Sequence, residues 1–382
     1  MKILCTADWH LHNFSDFAKD LNVTWSDSEL RYIKSQSNDS QLMNSRLFEI
    51  LNALCYMRDY CLKNSISDVL MAGDVFHKRA IIDVTVFNST YRILKSFKDS
   101  NINVHIISGN HDDVDSSLTP TTSLNTFYDI AHVIEDKEVF TIGDIEVVAV
   151  AYSKSKKKIL NTIATLRDEC KQPNNAILLA HLGLTGAVTG SSNYTMKDEY
   201  NLTDLKPNLW SYIVLGHYHK PQLIKNTNNT FYCGTPIQNN FNDEILDTEG
   251  DYNGFYVINT EIKELNFQKI IAPRFVTLNS LEDLKKHDKE FFSNNYIRIK
   301  SNSENEKKFK DILDNNLKVK NEVRFELKKD YNKELRSDIT ISNSISDSLN
   351  IYIDEQYTGD NKEQLKELAL SILEEATIGK VV

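Results

Sequence analysis

Paired cysteines are absent from this sequence. Its five cysteines are an odd, scattered set without any C-x-x-C spacing. Neither a disulfide framework nor a zinc site built from thiolates is therefore indicated, and the reducing environment of a cytosol fits this cysteine usage best.

An excess of basic residues and a long apolar run are absent too. The net charge of -10 argues against a protein that coats nucleic acid nonspecifically, although basic groups confined to one groove would escape this argument. No uninterrupted apolar run approaches the roughly 18 residues of a membrane span, and Lys2–Thr6 enters a strand directly without the apolar region of a signal peptide. We therefore expect a soluble, intracellular protein without a membrane partner.

What the sequence does contain is an alternation of strands and amphipathic helices. The chain of 382 residues indicates two or three domains. Apolar residues at helical spacing predict helices at 44–63 and 84–97, and short apolar runs predict strands at 68–72 and 104–107. Further strands, with few helices, are predicted at residues 138–141, 145–151, 176–180, 212–215, 222–224, 230–233 and 255–259. The predicted fold is of the α/β (α+β) class, a β-sandwich flanked by helices.

The composition changes after Pro273. Strands at 275–278, 296–300 and 322–328 with a helix at 304–315 predict a small α+β unit. Beyond Tyr331 a polar stretch leads to a capping box, Asp360 with Glu363, and an amphipathic terminal helix. The predicted domains are therefore 1–272, 273–330 and 331–382. Residues 13–43 are long for a connection, and we expect a partly ordered lid there.

One strand end carries several chemically useful side chains. Asn110 and His111 follow the predicted strand 104–107 directly after Gly109. Asn110 offers a neutral oxygen to a cation, and His111 offers an imidazole suited to acid–base work. Taken alone, however, a Gly-Asn pair is equally typical of a surface turn, because both residues tolerate positive φ.

Other predicted strands end in the same kind of side chain. The set consists of Asp8, His10, Asp74, Asn110, His111, His181, His217 and His219. Each residue alone has an ordinary reading as a turn carboxylate or a hydrogen-bonded structural histidine. Together, a histidine, carboxylate and amide set without thiolates suits Mn²⁺, Fe or Zn²⁺, and a central carboxylate could bridge two ions roughly 3.5–4 Å apart.

The ordered motifs resemble a known family. Asp8-Trp9-His10, Gly73-Asp74, Gly109-Asn110-His111-Asp112, His181 and Gly216-His217-Tyr218-His219 are similar to the signature of calcineurin-like metallophosphoesterases. Within that superfamily the chain resembles the SbcD-type nuclease subunit of double-strand-break-repair complexes, including bacteriophage recombination endonucleases. The features that carry this closer resemblance are Gly73-Asp74-Val75-Phe76-His77, Val148-Ala149-Val150-Ala151-Tyr152 and the extension after Pro273.

The resemblance implies a role for each residue of the motifs. One divalent ion would be held by Asp8, His10, Asp74 and His219, and the other by Asp74, Asn110, His181 and His217. Mn²⁺ is the expected metal, with Mg²⁺, Fe and Zn²⁺ as alternatives. His111 would donate a proton to the leaving 3′ or 5′ oxygen or stabilise charge on it. His77 would lie near the phosphate or have a structural role at a helix start, and Asp112 is expected to orient His111.

The implied activity is that of a two-metal DNA exonuclease and endonuclease in recombination and repair, in the cytoplasm of a bacterium or of a phage-infected host. The family reading gives it an SMC-like ATPase partner of the SbcC type, bound through the terminal helix, and a homodimer within a heterotetramer. One alternative is a stand-alone phosphoesterase for small phosphoesters or cyclic nucleotides, but such an enzyme would have little need of the extension after Pro273. The other is a DNA-binding subunit with an inactive site, and the intact ligand set argues against it.

A short basic run could contact DNA. It consists of Lys154, Lys156, Lys157 and Lys158. Contacts with DNA phosphates are one interpretation, and a solvated helix start is the other.

Overall fold

A computed structural model of the chain describes residues 1–26, 29–32, 40–114, 121–189, 194–195, 200–243, 253–301, 303–317, 323–327, 345–357, 359 and 361–379. The chain divides into two compact units, Met1–Leu327 and Lys328–Val382. Most of the predicted polar linker and Asp360 of the predicted capping box lie outside the described residues. No helix in the described ranges is long and apolar enough to span a bilayer.

The strands are β1 (Lys2–Thr6), β2 (Asp20–Ser26), β3 (Glu29–Tyr32), β4 (Gln41–Asn44), β5 (Asp68–Met71), β6 (Asn103–Ile107), β7 (His132–Ile134), β8 (Lys137–Ile142), β9 (Ile145–Val150), β10 (Ile177–His181), β11 (Val188–Thr189), β12 (Tyr194–Thr195), β13 (Tyr212–Gly216), β14 (Gln222–Leu223), β15 (Thr230–Tyr232), β16 (Gly254–Asn259), β17 (Glu264–Lys269), β18 (Phe275–Leu278), β19 (Tyr296–Ser301) and β20 (Val323–Leu327). The helices are α1 (Ser45–Asn64), α2 (Val84–Asp99), α3 (Lys156–Glu169), α4 (Leu202–Leu205), α5 (Leu281–Lys285), α6 (Lys289–Asn294), α7 (Ser303–Asp311), which continues as a π-helix (Ile312–Leu317), α8 (Ile345–Gln356) and α9 (Lys362–Gly379). Short 3₁₀ turns occupy Ser123–Phe127, Pro173–Asn175 and Pro207–Leu209.

Two six-stranded sheets form the predicted sandwich. The first has the order β17-β16-β1-β5-β6-β7 and the second the order β14-β15-β13-β10-β9-β8. Buried side chains of both sheets, such as Ile3 and Leu70 from the first and Val147 and Val214 from the second, belong to one apolar cluster. The sheets therefore pack face to face, which confirms the predicted fold class.

Helices cover the outer faces of the sandwich. Leu47 and Leu54 of α1 and Ile93 of α2 are buried in the cluster on the outer face of the first sheet, and Ile159 of α3 lies in the cluster on the outer face of the second. Helix α1 begins where the Asn44 side chain accepts hydrogen bonds from backbone N–H groups of its first turn. Each helix thus buries one apolar stripe against a sheet.

The insertion at 13–43 contains a sheet that the sequence analysis missed. β2 pairs with both β3 and β4 in an antiparallel three-stranded sheet. Val23 of β2 and Met43 of β4 are buried in the same apolar cluster as α1. Strands β3 and β4 have four residues each, and the alternation of Leu21, Val23 and Trp25 in β2 is a sequence pattern that could have revealed the sheet.

The residues after Pro273 form a separate small sheet. β18, β19 and β20 are parallel neighbours in that order. Ile297 and Ile299 of β19 pack with Leu284, Phe292 and Phe309 from the adjoining helices in a cluster of their own. We call β18–β20 with α5–α7 the small domain. The exact domain boundaries at 272/273 and 330/331 stay predictions.

Candidate metal centre

The predicted ligands meet at one edge of the sandwich. β1, β5 and β6 are parallel in the first sheet, and β9, β10 and β13 are parallel in the second. Their carboxyl ends therefore share an edge, which is where α/β sheets place ligand sites. The loops after β1, β5, β6 and β13 and the last residue of β10 supply all of the side chains predicted as ligands.

One group of donors lies around His10. Its Nε2 is 2.9 Å from Nε2 of His219 and 3.7 Å from Oδ2 of Asp74. Asp8, His10 and His219 each offer a ligand atom, and these atoms lie within 4.8 Å of one another. The geometry therefore brings together the residues expected at the first ion.

A second group lies around His181. Its Nε2 is 3.6 Å from Oδ2 of Asp74 and 3.0 Å from Oδ1 of Asn110. The same Asn110 oxygen is 3.0 Å from Nδ1 of His217. Asp74 consequently stands between the two groups, as expected of a bridging carboxylate.

The backbone at these positions is held in an uncommon conformation. Asp8, His10, Asp74 and His217 have φ values of 51°, 47°, 58° and 101°, in the positive range that non-glycine residues seldom adopt. Such conformations persist where the surrounding structure determines them, and they concentrate at functional sites. Here they turn successive side chains of each loop toward the same edge.

Glycines of the motifs are required by close approach. A Cβ on Gly109 would lie 2.2 Å from Oδ1 of Asp74, and a Cβ on Gly216 would lie 2.0 Å from the carbonyl oxygen of Ala72. Neither contact is sterically possible. The glycine in each motif therefore lets the neighbouring strand ends come close enough for their ligands to converge.

Asp112 does not orient His111, so that prediction is wrong. Its carboxylate accepts hydrogen bonds from the backbone N–H groups of Asp74, Val75, Phe76 and Gly109, at 2.8–3.1 Å. Because buried N–H groups need partners, Asp112 instead holds the loop that carries Asp74. It acts on the site as a positioning residue and has no place among the catalytic groups.

His111 is oriented by a different group. Its Nδ1 is 2.6 Å from the carbonyl oxygen of His77, and a carbonyl can only accept, so Nδ1 carries the proton. Its backbone N–H donates to Oδ1 of Asp74 at 2.8 Å. The remaining ring nitrogen, Nε2, is thus the one available for proton transfer at the site.

His77 lies at the edge of the same cluster. Its ring stacks between those of His12 and His111, with centroid distances of 5.3 and 5.7 Å. Burial lowers the pKa of His77 to about 4, so the ring is neutral at physiological pH. His10, His77 and His111 offer nitrogens within 4.8 Å of one another, which places His77 close to the centre; its role there stays a prediction.

The electrostatics of the site fit divalent cations. Burial raises the pKa of Asp8 to about 6 and lowers the pKa of His217 to about 3. Among the described residues, neither Asp8 nor Asp74 forms an ion pair with a lysine or arginine. Buried carboxylates that face imidazole nitrogens, with no lysine or arginine among the described residues to neutralise them, form a donor set suited to a pair of divalent ions.

Asp243 is a residue of the centre that was not predicted from the sequence. This buried carboxylate lies 2.7 Å from Nδ1 of His219. Burial alone would lower the pKa of His219, but Asp243, with smaller contributions from Asp8 and Asp74, outweighs it and raises that pKa to about 9. No local signal marks Asp243, because it lies in an Asn-rich stretch 24 positions after its partner.

The basic run is partly occupied by intramolecular ion pairs. Lys156, Lys157 and Lys158 form the start of α3. Nζ of Lys158 lies 2.7 Å from Asp136, and Nζ of Lys156 lies 3.5 Å from Asp204. The run therefore lies at a helix start as expected, and contact of Lys154, Lys156, Lys157 and Lys158 with DNA stays a prediction.

Comparisons with known proteins agree with the geometry. Residues 1–221 match the family profile described as calcineurin-like phosphoesterase. The DNA double-strand break repair protein Mre11 of Methanocaldococcus jannaschii is 23% identical over 206 residues, which are 53% of this chain and 54% of that protein. The chain thus matches about half the length of this curated relative.

The solved structures that match this chain at low TM-scores include two phosphoesterases. A dimetal phosphatase from Danio rerio has a TM-score of 0.36 at 9% identity, covering 67% of this chain and 91% of that chain. Yfce, a phosphoesterase from E. coli, has a TM-score of 0.29 at 9% identity, covering 71% of this chain and 100% of that chain.

Proposed function

Because the chain belongs to the calcineurin-like phosphoesterase family, a family of metal-dependent phosphoester hydrolases with a dinuclear site, we propose that it is a two-metal nuclease that cleaves DNA phosphodiesters. Exonuclease action at the ends of duplex DNA and endonuclease action are both part of the proposal. It would serve recombination and repair.

The ligand assignment rests on the convergence of side chains. We assign Asp8, His10, Asp74 and His219 to one ion and Asp74, Asn110, His181 and His217 to the other. When bound, two such ions activate a water molecule as nucleophile and neutralise phosphate oxygens. Mn²⁺ is proposed as the metal, since a mixed oxygen and nitrogen set without thiolates suits it.

The chain itself supplies the acid for the leaving group. The Nδ1–H group of His111 donates a hydrogen bond to the His77 carbonyl. A second proton, on Nε2, makes the ring an imidazolium that can donate to the departing 3′ or 5′ oxygen. The hydrogen bond from His111 N–H to Asp74 ties the position of this acid to the bridging ligand.

The observation that supports DNA as the substrate is the similarity to a DNA double-strand break repair protein over 206 residues. The other family activity, hydrolysis of small phosphoesters, uses the same centre. The two are separated by substrate and not by metal chemistry.

An assay with both classes of substrate tests the proposal. Metal-free protein is supplied with Mn²⁺, Mg²⁺, Fe²⁺ or Zn²⁺ and given end-labelled linear duplex, a DNA hairpin, bis(p-nitrophenyl) phosphate and cyclic nucleotides, with Asp74→Ala as the control. We expect Mn²⁺-dependent cleavage of both DNA substrates. Hydrolysis of the small esters alone would replace the nuclease by a small-molecule phosphoesterase.

The terminal helices are proposed to bind an SMC-like ATPase, with two copies of each subunit in the complex. Tyr352 of α8 and Leu368 of α9 support this proposal, because they are large apolar side chains that are 52% and 58% exposed. Exposed apolar side chains on a helix are what a partner with an apolar groove would bind.

Substitution of the exposed face tests the ATPase interaction. The Tyr352→Asp, Leu368→Asp double variant should no longer co-purify with a co-expressed SMC-like ATPase, because buried aspartates would oppose docking. Cleavage of short DNA by the isolated subunit should be unchanged. Co-purification equal to that of the wild type would contradict the proposal.

A further inference from the structure

We propose that the small domain controls ion binding at the metal centre through the segment 237–243, the bridging loop, which ends on the positioning residue Asp243. The inference deepens the function proposed above and rests on its assignment of His219 as a metal ligand. It concerns residues that none of the motifs contain.

The far end of the bridging loop holds His219. One oxygen of Asp243 lies 2.7 Å from Nδ1 of His219, and the other accepts the backbone N–H of Asn239 at 2.8 Å. With Nδ1 engaged, Nε2 of His219 is the nitrogen that faces Nε2 of His10 at 2.9 Å. A carboxylate in this position fixes the ring orientation of a metal-binding histidine and strengthens it as a ligand.

The near end of the bridging loop is attached to the small domain. The side-chain oxygen of Gln238 accepts the backbone N–H of Phe275, in β18, at 2.6 Å. The ring of Phe241 lies 4.9 Å from the ring of Phe275, and the guanidinium of Arg298, in β19, lies 4.2 Å from the same Phe241 ring. Gln238 and Phe241 are buried, so the loop is packed against the small sheet through both polar and apolar contacts.

A buried arginine joins the loop to the nuclease domain. Nη2 of Arg46, in α1, donates to the carbonyl oxygens of Gln238 and Asn239, both at 3.3 Å. Its guanidinium also lies 4.7 Å from the ring of Phe275 and 4.6 Å from that of Tyr296. One fully buried cation therefore contacts α1, the bridging loop and the small domain at once.

Further hydrogen bonds complete this junction. Glu49, one turn along α1, accepts from Nε of Arg46 at 3.2 Å and from the hydroxyl of Tyr296 in β19. A displacement of the small domain would pull on Gln238, Phe241 and Arg46 together. Because Asp243 is bonded back to Asn239, such a displacement would reach the carboxylate that orients His219.

The consequence is specific to one of the two ions. Asp243 orients His219, a ligand of the ion assigned to Asp8, His10, Asp74 and His219. It makes no described contact with Asn110, His181 or His217, the residues that complete the other site. Loosening the bridging loop should therefore weaken one binding event and leave the second, whereas general destabilisation of the fold would weaken both.

Ion binding to the full-length chain tests this inference. Metal-free protein is titrated with Mn²⁺, free Mn²⁺ is counted by electron paramagnetic resonance, and the variants are Asp243→Ala, Asp243→Asn and Arg298→Ala. Loss of such a supporting carboxylate typically costs about 10- to 100-fold in metal affinity, so we expect Asp243→Ala to lose that factor at one of two ions and Asp243→Asn to lose less. For Arg298→Ala we expect a loss of about threefold to tenfold at the same ion, since a guanidinium over a ring is a modest contact.

Arg324→Ala is the matched control. Arg324 is the register partner of Arg298 on the neighbouring strand β20, but it contacts Asp16 and Glu326 and not the bridging loop. Its Mn²⁺ affinities should equal those of the wild type. Should Arg298→Ala fail to fold, as judged by the melting of the metal-free protein, Phe241→Leu removes the ring from the same contact and takes its place.

Equal Mn²⁺ affinities in Arg298→Ala (or Phe241→Leu) and Arg324→Ala would overturn the control by the small domain. Unchanged affinities in Asp243→Ala, or equal weakening of both ions, would overturn the role of Asp243. None of these readouts uses a substrate. A chain that binds ions as expected but leaves DNA intact would refute the nuclease function and leave this inference standing.

Discussion

Replacing Asp74 with alanine is expected to abolish metal binding and phosphodiester cleavage together. Oδ2 of Asp74 lies 3.7 Å from the His10 nitrogen and 3.6 Å from the His181 nitrogen, so this one oxygen serves both groups of ligands. We expect kcat/KM to fall by at least about 1,000-fold, since both the nucleophile and the charge neutralisation depend on the ions.

Metal content and turnover, measured on the same samples, check this expectation. Asp74→Asn keeps a single ligand oxygen without the charge and should retain partial binding of one ion. Asp144→Ala removes an exposed carboxylate in the turn between β8 and β9 and should behave as the wild type. An Asp74→Ala protein that binds two ions, or that cleaves at the normal rate, would remove the bridging role.

Replacing His111 with alanine is expected to leave the ions in place and to stop cleavage of DNA. His111 is placed as the acid, and acid catalysis by a positioned side chain contributes about 100- to 10,000-fold. The loss should depend on the leaving group. A DNA alkoxide needs a proton, whereas p-nitrophenolate leaves without one, so the rate on bis(p-nitrophenyl) phosphate should fall far less.

Comparison of kcat on the two substrates, together with Mn²⁺ stoichiometry, tests this role. His132→Ala is a suitable control, because His132 lies in β7, away from the ligand loops. Its Nε2 is 3.0 Å from the carboxylate of Glu138 in β8. Normal DNA cleavage by metal-replete His111→Ala would contradict the assignment of His111 as the acid for the leaving group. An equal loss on both substrates would show that His111 acts on something other than the leaving group.

The elements that the sequence predicts correctly are those with a strong local pattern. Helices α1 and α2 and strands β1, β5, β6 and β13 lie within a few residues of their predicted bounds. Helix α3 was anticipated only as one interpretation of the lysine run, although Ile159, Ile163 and Leu166 have helical spacing and are buried, because three lysines at its start leave only a short apolar pattern behind them. Strand β17 was missed because only Leu265 and Phe267 alternate among half-exposed polar residues.

Residue roles that depend on distant partners could not be predicted. Proximity in sequence assigns Asp112 to His111, yet its carboxylate serves backbone N–H groups 36 to 38 positions away. The His77 carbonyl that orients His111 lies 34 positions away. Neither contact leaves a trace in local spacing.

The composition of the centre can be predicted from the sequence alone, because each motif places ligand-type side chains at a strand end, and three of the five motifs add a glycine within the same few residues. Parallel strands bring such ends to a common edge, so listing the residues was enough to expect their convergence. Three features are visible only in the folded chain: which nitrogen of each ring faces the centre, the support that Asp112 gives to the Asp74 loop, and the contact of Asp243 with His219 from a loop attached to the small domain. These features result from hydrogen bonds and packing between segments that are far apart in the chain. Such contacts form only when the two sheets pack against each other, so local sequence does not reveal them.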